Sequence, residues 1–271
     1  MSAVVITFGC VLLPTPAPTA TPTATPAPTE TPPPTATPTP SPTMAWQEVA
    51  DAFARLNSRQ DLPDHLMQEN PEKYGSEFDV NEYFDVLDHL SMEPGYVLDY
   101  IYRFDGMGGS PLLFVRPEDY PAPATQAEYA AALEAGDVDR DYLSHVQVDG
   151  TEEGFFQYVV LKEVGGQFYL FWHANYFDTV IVCDPERIES ILSRPEDYAT
   201  PFTTKQKRQA RAIDPAPVVK MGTDSVEVGI IMFSDWGGFA RGTYEISRSF
   251  PHTVLDSDFE VLVEYDCGIM F

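Results

Sequence analysis

Apolar and polar positions follow a helical rhythm near the start of the chain and an alternating one later. Trp46, Val49, Ala50, Phe53 and Leu56 recur at helical spacing and predict a first helix. A second is predicted over Val80–Leu90, with Tyr83, Phe84, Leu87 and Leu90 on one face, Asp79 as N-cap and Pro94-Gly95 as the stop. Tyr96–Phe104 (YVLDYIYRF) is aromatic and β-branched and predicts a strand. Asp105 to Gly109 supplies a turn, and Leu112–Arg116 returns as the partner strand. Ala124–Ala135 is an alanine-rich helix closed by Gly136.

From Tyr142 onward the pattern predicts mostly strands: Leu143–Val148, Phe155–Glu163, Phe168–His173 and Asp178–Val182, with Asp149-Gly150 and Gly165-Gly166 as turns. A short helix, Pro185–Ser193, follows an Asp184 cap. Residues 194–222 are polar and Pro-bearing, with a basic cluster at Lys205, Lys207, Arg208 and Arg211. Val226–Phe233, Gly238–Ser247 and Phe259–Tyr265 are the last strands. Helices first, hairpins later and no β-α-β alternation predict a single α+β domain over 44–271, its N-terminal helices packed on a largely antiparallel sheet.

The chain ahead of this domain is of another kind. Residues 14–43 hold 12 Pro, 11 Thr, 5 Ala, one Glu and one Ser. No large apolar side chain offsets the ordering entropy, so a disordered stalk is expected. At about 3.1 Å per residue in polyproline II geometry, it would reach about 90 Å. Its Thr-Pro pairs suit O-glycosylation; the alternative is a plain spacer. Ala3–Leu13 (AVVITFGCVLL) is shorter than the roughly 20 residues of a spanning helix and matches the apolar region of a signal peptide.

Within that run, Ile6-Thr7-Phe8-Gly9-Cys10 resembles the lipobox of bacterial lipoproteins. With the stalk, residues 1–43 resemble the architecture of a bacterial surface lipoprotein. The resemblance implies acylation at Cys10, an extracytoplasmic location, and membrane attachment only through the lipid. No Lys or Arg precedes the apolar run, so 1–13 reads as a signal or anchor segment trimmed at its start. The alternative is a cleaved signal peptide and a secreted protein.

Charge narrows the partners. The chain carries 42 acids against 16 bases, net −26, and Glu30 is the only charged residue before position 44. That excludes a backbone-reading nucleic-acid binder and disfavours anionic lipid headgroups. The 17 Phe, 14 Tyr and 3 Trp, only Phe8 of them ahead of the domain, predict a large core.

Candidate chemistry is sparse. His89 and Glu93 are four apart, and a helix through them would put both on one face. With His173 they would make a general-base or hydrolase site, or part of a metal site, which needs at least three ligands. The bland alternative, histidines bonded to backbone, is favoured. Asp137, Asp139 and Asp141 resemble the start of a calcium loop. The pattern departs at Arg140, at Tyr142 where Gly is needed, and at Val148 where the closing Glu belongs. A solvated acidic turn is favoured there, so no cofactor is expected and calcium is the only alternative. Cys183 and Cys267 both read as strand ends, either a disulfide or two buried thiols. Among the clustered aromatics, Trp172, Tyr176 and Trp236 are candidate contacts for a glycan or peptide, against a core role. GxSxG, SxxK, HExxH and phosphate-loop motifs are absent. The leading expectation is an envelope-tethered binding module without catalysis, and the alternative is an extracytoplasmic hydrolase using His89, Glu93 and His173.

Overall fold

The computed structural model describes residues 46–194 and 200–268, the side chains of Tyr176 and Phe177 excepted. The stalk, Cys10 and the segment around it lie outside the described residues. Helix α1 (Trp46–Ser58) follows the predicted spacing and buries Val49, Ala50 and Phe53. The second predicted helix is shorter than its periodicity. Asp79 caps a 3₁₀ turn, Val80–Glu82, and one helical turn follows, α2 (Tyr83–Val86). The chain then straightens into strand β1 (Leu90–Met92). The β-pairing claims the backbone groups that a longer helix would have used: Asp149 N–H donates to the His89 carbonyl, and His89 N–H to Gln157 Oε1.

Strands β2 (Tyr96–Phe104) and β3 (Gly108–Pro117) form the predicted hairpin in unbroken register, Tyr96 opposite Pro117 and Phe104 opposite Gly109. Helix α3 (Gln126–Ala135) begins on a Thr125 cap and ends at Gly136, whose φ of 77° a β-carbon would disfavour. A 3₁₀ turn, Tyr142–His145, leads to β4 (Val146–Val148), which pairs with β1.

The expected strand Phe155–Glu163 is instead the middle of helix α4 (Glu152–Val164). Thr151 Oγ1 accepts from Gly154 N–H at 3.0 Å, and Glu152 and Glu153 lie where the helix dipole favours negative charge. The Phe, Tyr and Val that read as strand formers are buried on every side, so packing overrides their β preference. Gly165 continues the last turn, its N–H donating to Leu161 O at 2.9 Å, and Gly165-Gly166 is no hairpin. The next expected strand, Phe168–His173, shrinks to β5 (Phe171–Trp172) because Tyr169 and Trp172 sit at φ 53° and 47°.

Beyond the 3₁₀ turn His173–Phe177 come β6 (Val180–Val182), α5 (Pro185–Leu192) on its Asp184 cap and α6 (Thr204–Ala210). The basic cluster belongs to α6 and its end, where Arg211 forms a bidentate pair with Glu189. The chain closes with β7 (Val218–Met221), β8 (Ser225–Ser234), β9 (Gly238–Ser247) and β10 (Val254–Val263).

These strands make three antiparallel sheets, β1-β4, β2-β3-β5 and a five-stranded sheet ordered β10-β9-β8-β6 with β7 also on β8, so the fold is α+β. The core follows strand alternation. Val226, Val228, Ile230 and Met232 of β8 face the large cluster that holds α4 and α1, whereas Ile231 and Phe233 face a second cluster under α5 and α6. Trp46 meets Phe156 edge-on at 4.6 Å, and buried Gln47 ties α1 to β6 by donating to Ile181 O and accepting from Cys183 N–H. Among the described residues no helix is long and apolar enough to cross a membrane.

Phe155→Ala should destabilise the domain by about 3–5 kcal/mol through the cavity it leaves, and Thr151→Ala by about 1 kcal/mol through the lost cap. Urea unfolding of both variants tests this ordering; a near-neutral Phe155→Ala would contradict a helix buried on all faces.

Candidate functional site

The β1–β4 ladder changes the meaning of the His89–Glu93 spacing. Leu90 pairs with Val148, Ser91 with Gln147 and Met92 with Val146. One step beyond either end of the ladder stands a histidine–carboxylate pair. His89 Nδ1 lies 2.6 Å from Asp149 Oδ2, and His145 Nδ1 lies 2.7 Å from Glu93 Oε2. In an extended chain, His89 and Glu93 are about 13 Å apart, not one helical turn. The predicted helical dyad is therefore corrected: each residue clamps its own end of a short ladder. Thr151, the α4 cap, also donates its hydroxyl to Asp149 Oδ1 at 2.6 Å, which joins the clamp to the central helix. His173 is carried elsewhere, at the start of the 3₁₀ turn after β5, with its ring stacked on Trp172 and its N–H donating to Met107 O.

The other sequence candidates fall as follows. Asp139 pairs its backbone with Val115 in both directions and accepts from Asp141 N–H at 2.8 Å, while Asp137 N–H donates to Ala132 O. The acidic run is thus laid along a turn, and among the described residues no three His, Cys, Asp or Glu side chains are grouped to hold a metal. Cys183 and Cys267 are free, buried thiols, so the disulfide alternative is corrected. The two lie apart in the core: Cys183, just past β6, enters the large cluster and Cys267, beyond the end of β10, the second one. Burial, with Asp184 and Asp51 nearby, pushes the Cys183 thiol up to about 12, which disfavours the thiolate form. Trp236 sits in the turn between β8 and β9 but is half-buried against the second cluster rather than open to a ligand. Trp172 is exposed, next to Met107. Tyr176 lies outside the residues whose side chains are described.

Two surfaces among the described residues stand out for their position. A cleft of about 690 Å³ runs beside α1, lined by Asp51, Arg55, Asn57, Asp61, Asp178 and Arg187 among others. Asn57 Oδ1 and Arg187 Nε have no hydrogen-bond partner among the described residues, but both atoms are buried, so a ligand in the cleft would not reach them without side-chain rotation.

The second surface is β10. It is ten residues long, forms the edge of the five-stranded sheet, and Leu255 through Val261 are all exposed. Its register sets Ser257 opposite Tyr244, Phe259 opposite Gly242 and Val261 opposite Ala240. Tyr244 and Gly242 are buried, so this is the inner face. Asp256, Asp258 and Glu260 oppose Glu245, Thr243 and Arg241 on the outer face. Phe259 leans on Tyr244, with ring centroids 5.8 Å apart, yet is 52% exposed; Leu255 and Val261 are each 57% exposed. Bulges interrupt the pairing at Val254/Asp256 and at Val261/Val263. Sequence reading found the end of this strand and missed its start. The alternation DSDFEV over 256–261, acid against small or apolar, was the available signal.

No protein-family model, curated protein or solved structure matches this chain.

The clamp carries a pH dependence. Burial alone would raise Asp149, but the Thr151 hydroxyl and N–H together with the His89 ring hold it below the ordinary carboxylate range. A depressed folded-state value contributes stability that is present above about pH 4 and lost as pH falls through the folded value. Asp149→Asn should therefore flatten the acid limb of a plot of urea midpoint against pH. Parallel curves for wild type and variant would remove any role for the clamp in acid stability.

Proposed function

We propose that this chain is an envelope-tethered, extracytoplasmic binding module, and that the β10 edge is its recognition surface. The observation that carries the reading is a ten-residue edge strand with exposed Leu255, Phe259 and Val261 and a row of backbone groups facing outward. Natural sheets usually blunt such edges with Pro, charged side chains, bulges, short strands or a covering helix. β10 carries three acids and a bulge near each end, but it has neither Pro nor Lys, and between the bulges Asp256 to Val261 pair in unbroken register as six exposed residues. Of the glycan and peptide ligands that the sequence left open, an open sheet edge supports the peptide, because main-chain hydrogen bonds and alternate side-chain positions are what it offers. The stalk read from the sequence fits the same purpose, since a reach of about 90 Å holds the edge clear of the surface. The hydrolase alternative has no assembled site behind it: His89 and Glu93 are committed to opposite ends of the β1–β4 ladder.

The tether is tested by Cys10→Ser, which should move the protein from the membrane fraction to the soluble fraction. Retention in the membrane would sink lipid anchoring. The recognition surface is tested with a photo-crosslinking residue placed at Phe259 or, as control, at Trp172 in the full chain on intact cells. A discrete adduct from position 259 and none from 172 is expected; adducts from 172 alone would move the site to the β3–β5 corner.

A further inference from the structure

Resting on the reading of β10 as a recognition edge, we infer that its partner is an extended protein segment in which basic and apolar residues alternate. Such a segment adds to the sheet as a further antiparallel or parallel strand beside β10.

The alternation follows from the two faces of the edge. A strand paired with β10 places every second side chain on the inner face, beside Ser257, Phe259 and Val261, where apolar contact is on offer. The intervening side chains lie on the outer face, beside Asp256, Asp258 and Glu260. That face is already short of cations. Lys220 pairs with Glu227 and Arg241 with Glu260. Among the described residues, no Lys or Arg pairs with Glu245, Asp256 or Asp258: Glu245 accepts from the Ser225 hydroxyl and Asp256 from Ser257 N–H. These acids line a shallow depression of about 380 Å³ with Glu227, Thr243 and Lys220, into which a long basic side chain from an added strand would extend.

A second copy of this chain is a poor occupant for the same reason. Antiparallel pairing of β10 with itself, faces kept continuous, sets even-numbered residues opposite even-numbered residues. Every register that overlaps the stretch from 256 to 260 then places acid against acid, which destabilises a strand pair. The net charge of −26 adds long-range repulsion between copies and attraction for a basic segment. The acidic rim therefore acts against self-association and selects a basic partner.

The test is calorimetry on the purified full chain with three synthetic peptides of equal length: alternating lysine and valine, the same composition with lysines and valines in separate blocks, and alternating glutamate and valine. The alternating basic peptide should bind at least about tenfold tighter than the blocked one, the sum of several cross-strand pairs of a few tenths of a kcal/mol each. Its affinity should fall with added salt, and backbone N-methylation at every second residue should abolish binding. Asp256→Asn combined with Asp258→Lys, both on the exposed outer face, should weaken it about tenfold without changing the melting temperature, and Phe259→Ser should weaken it independently. Equal affinity for the alternating and blocked peptides would overturn the inference, since charge alone would explain both. Concentration-dependent dimerisation in sedimentation that Phe259→Ser removes would overturn it in favour of a second copy. A crosslinked partner at position 259 that the alternating basic peptide does not displace would overturn the proposed partner chemistry while leaving the interaction-module reading intact.

Discussion

Burial of α4 on every face is the constraint on which the rest of the structure depends. Phe155, Phe156, Tyr158, Val159, Val160 and Leu161 are all essentially inaccessible, so through its middle turns this helix has no solvent side. A helix in that position must find partners all round, and it does: α1 across Phe156, β7 and β8 beneath, and β1 and β4 at its start. Its polar groups are absorbed as completely. Gln157 takes His89 N–H and reaches Asp88, and Tyr158 donates its hydroxyl to His252 O. Near its end, Asn57 of α1 donates to Val164 O. In a buried setting each of these groups left unpaired would cost about 1–3 kcal/mol, so α4 fixes the places of its neighbours as they fix its own.

The same constraint explains where the sheet is bare. A helix is about 10 Å across and strands are spaced about 4.8 Å, so one helix covers roughly two strands. α4 spends that cover on β7 and β8. β9 is still half-buried, through Tyr244 and Ile246, but the Leu255–Val261 stretch of β10 lies beyond that cover, and only the end of the strand, at Leu262 and Val263, packs into the second cluster beside α6. The exposure of that stretch on both faces is a geometric remainder of a narrow cover on a wide sheet. What the sequence has done with that remainder is specific: apolar residues on the sheltered side, acids on the open side.

The histidines show how a spacing that looks chemical can be architectural. His65 is held by Glu77, His89 by Asp149 and His145 by Glu93, each within 2.6–2.7 Å. Three carboxylate-paired imidazoles on separate turns tie segments that carry little regular structure. Glu77 is itself gripped by Tyr74 N–H and Gly75 N–H, and despite burial these bonds and the His65 ring keep its carboxyl below the ordinary range. Groups so occupied hold the chain in place.

The sequence by itself determined the local features whose causes are local. The α1 stripe, the β2–β3 hairpin, the Asp79, Asp184 and Gly136 caps and strands β8 and β9 were legible, because spacing, capping chemistry and turn residues act over a few positions. The α+β class followed from their order. Tertiary structure tipped α4, since Phe155–Glu163 favours a strand by composition and the local Thr151 cap is reinforced by burial of the residues after it on every face. It alone decided that the chain after Leu87 would pair with β4, which moved Glu93 from beside His89 to beside His145. It alone decided that Cys183 and Cys267 would enter different clusters. The β10 alternation was written in the sequence, but its standing as an open edge was not. Whether a strand has one neighbour or two is settled by the packing of residues far away in the chain, and no local pattern carries that information.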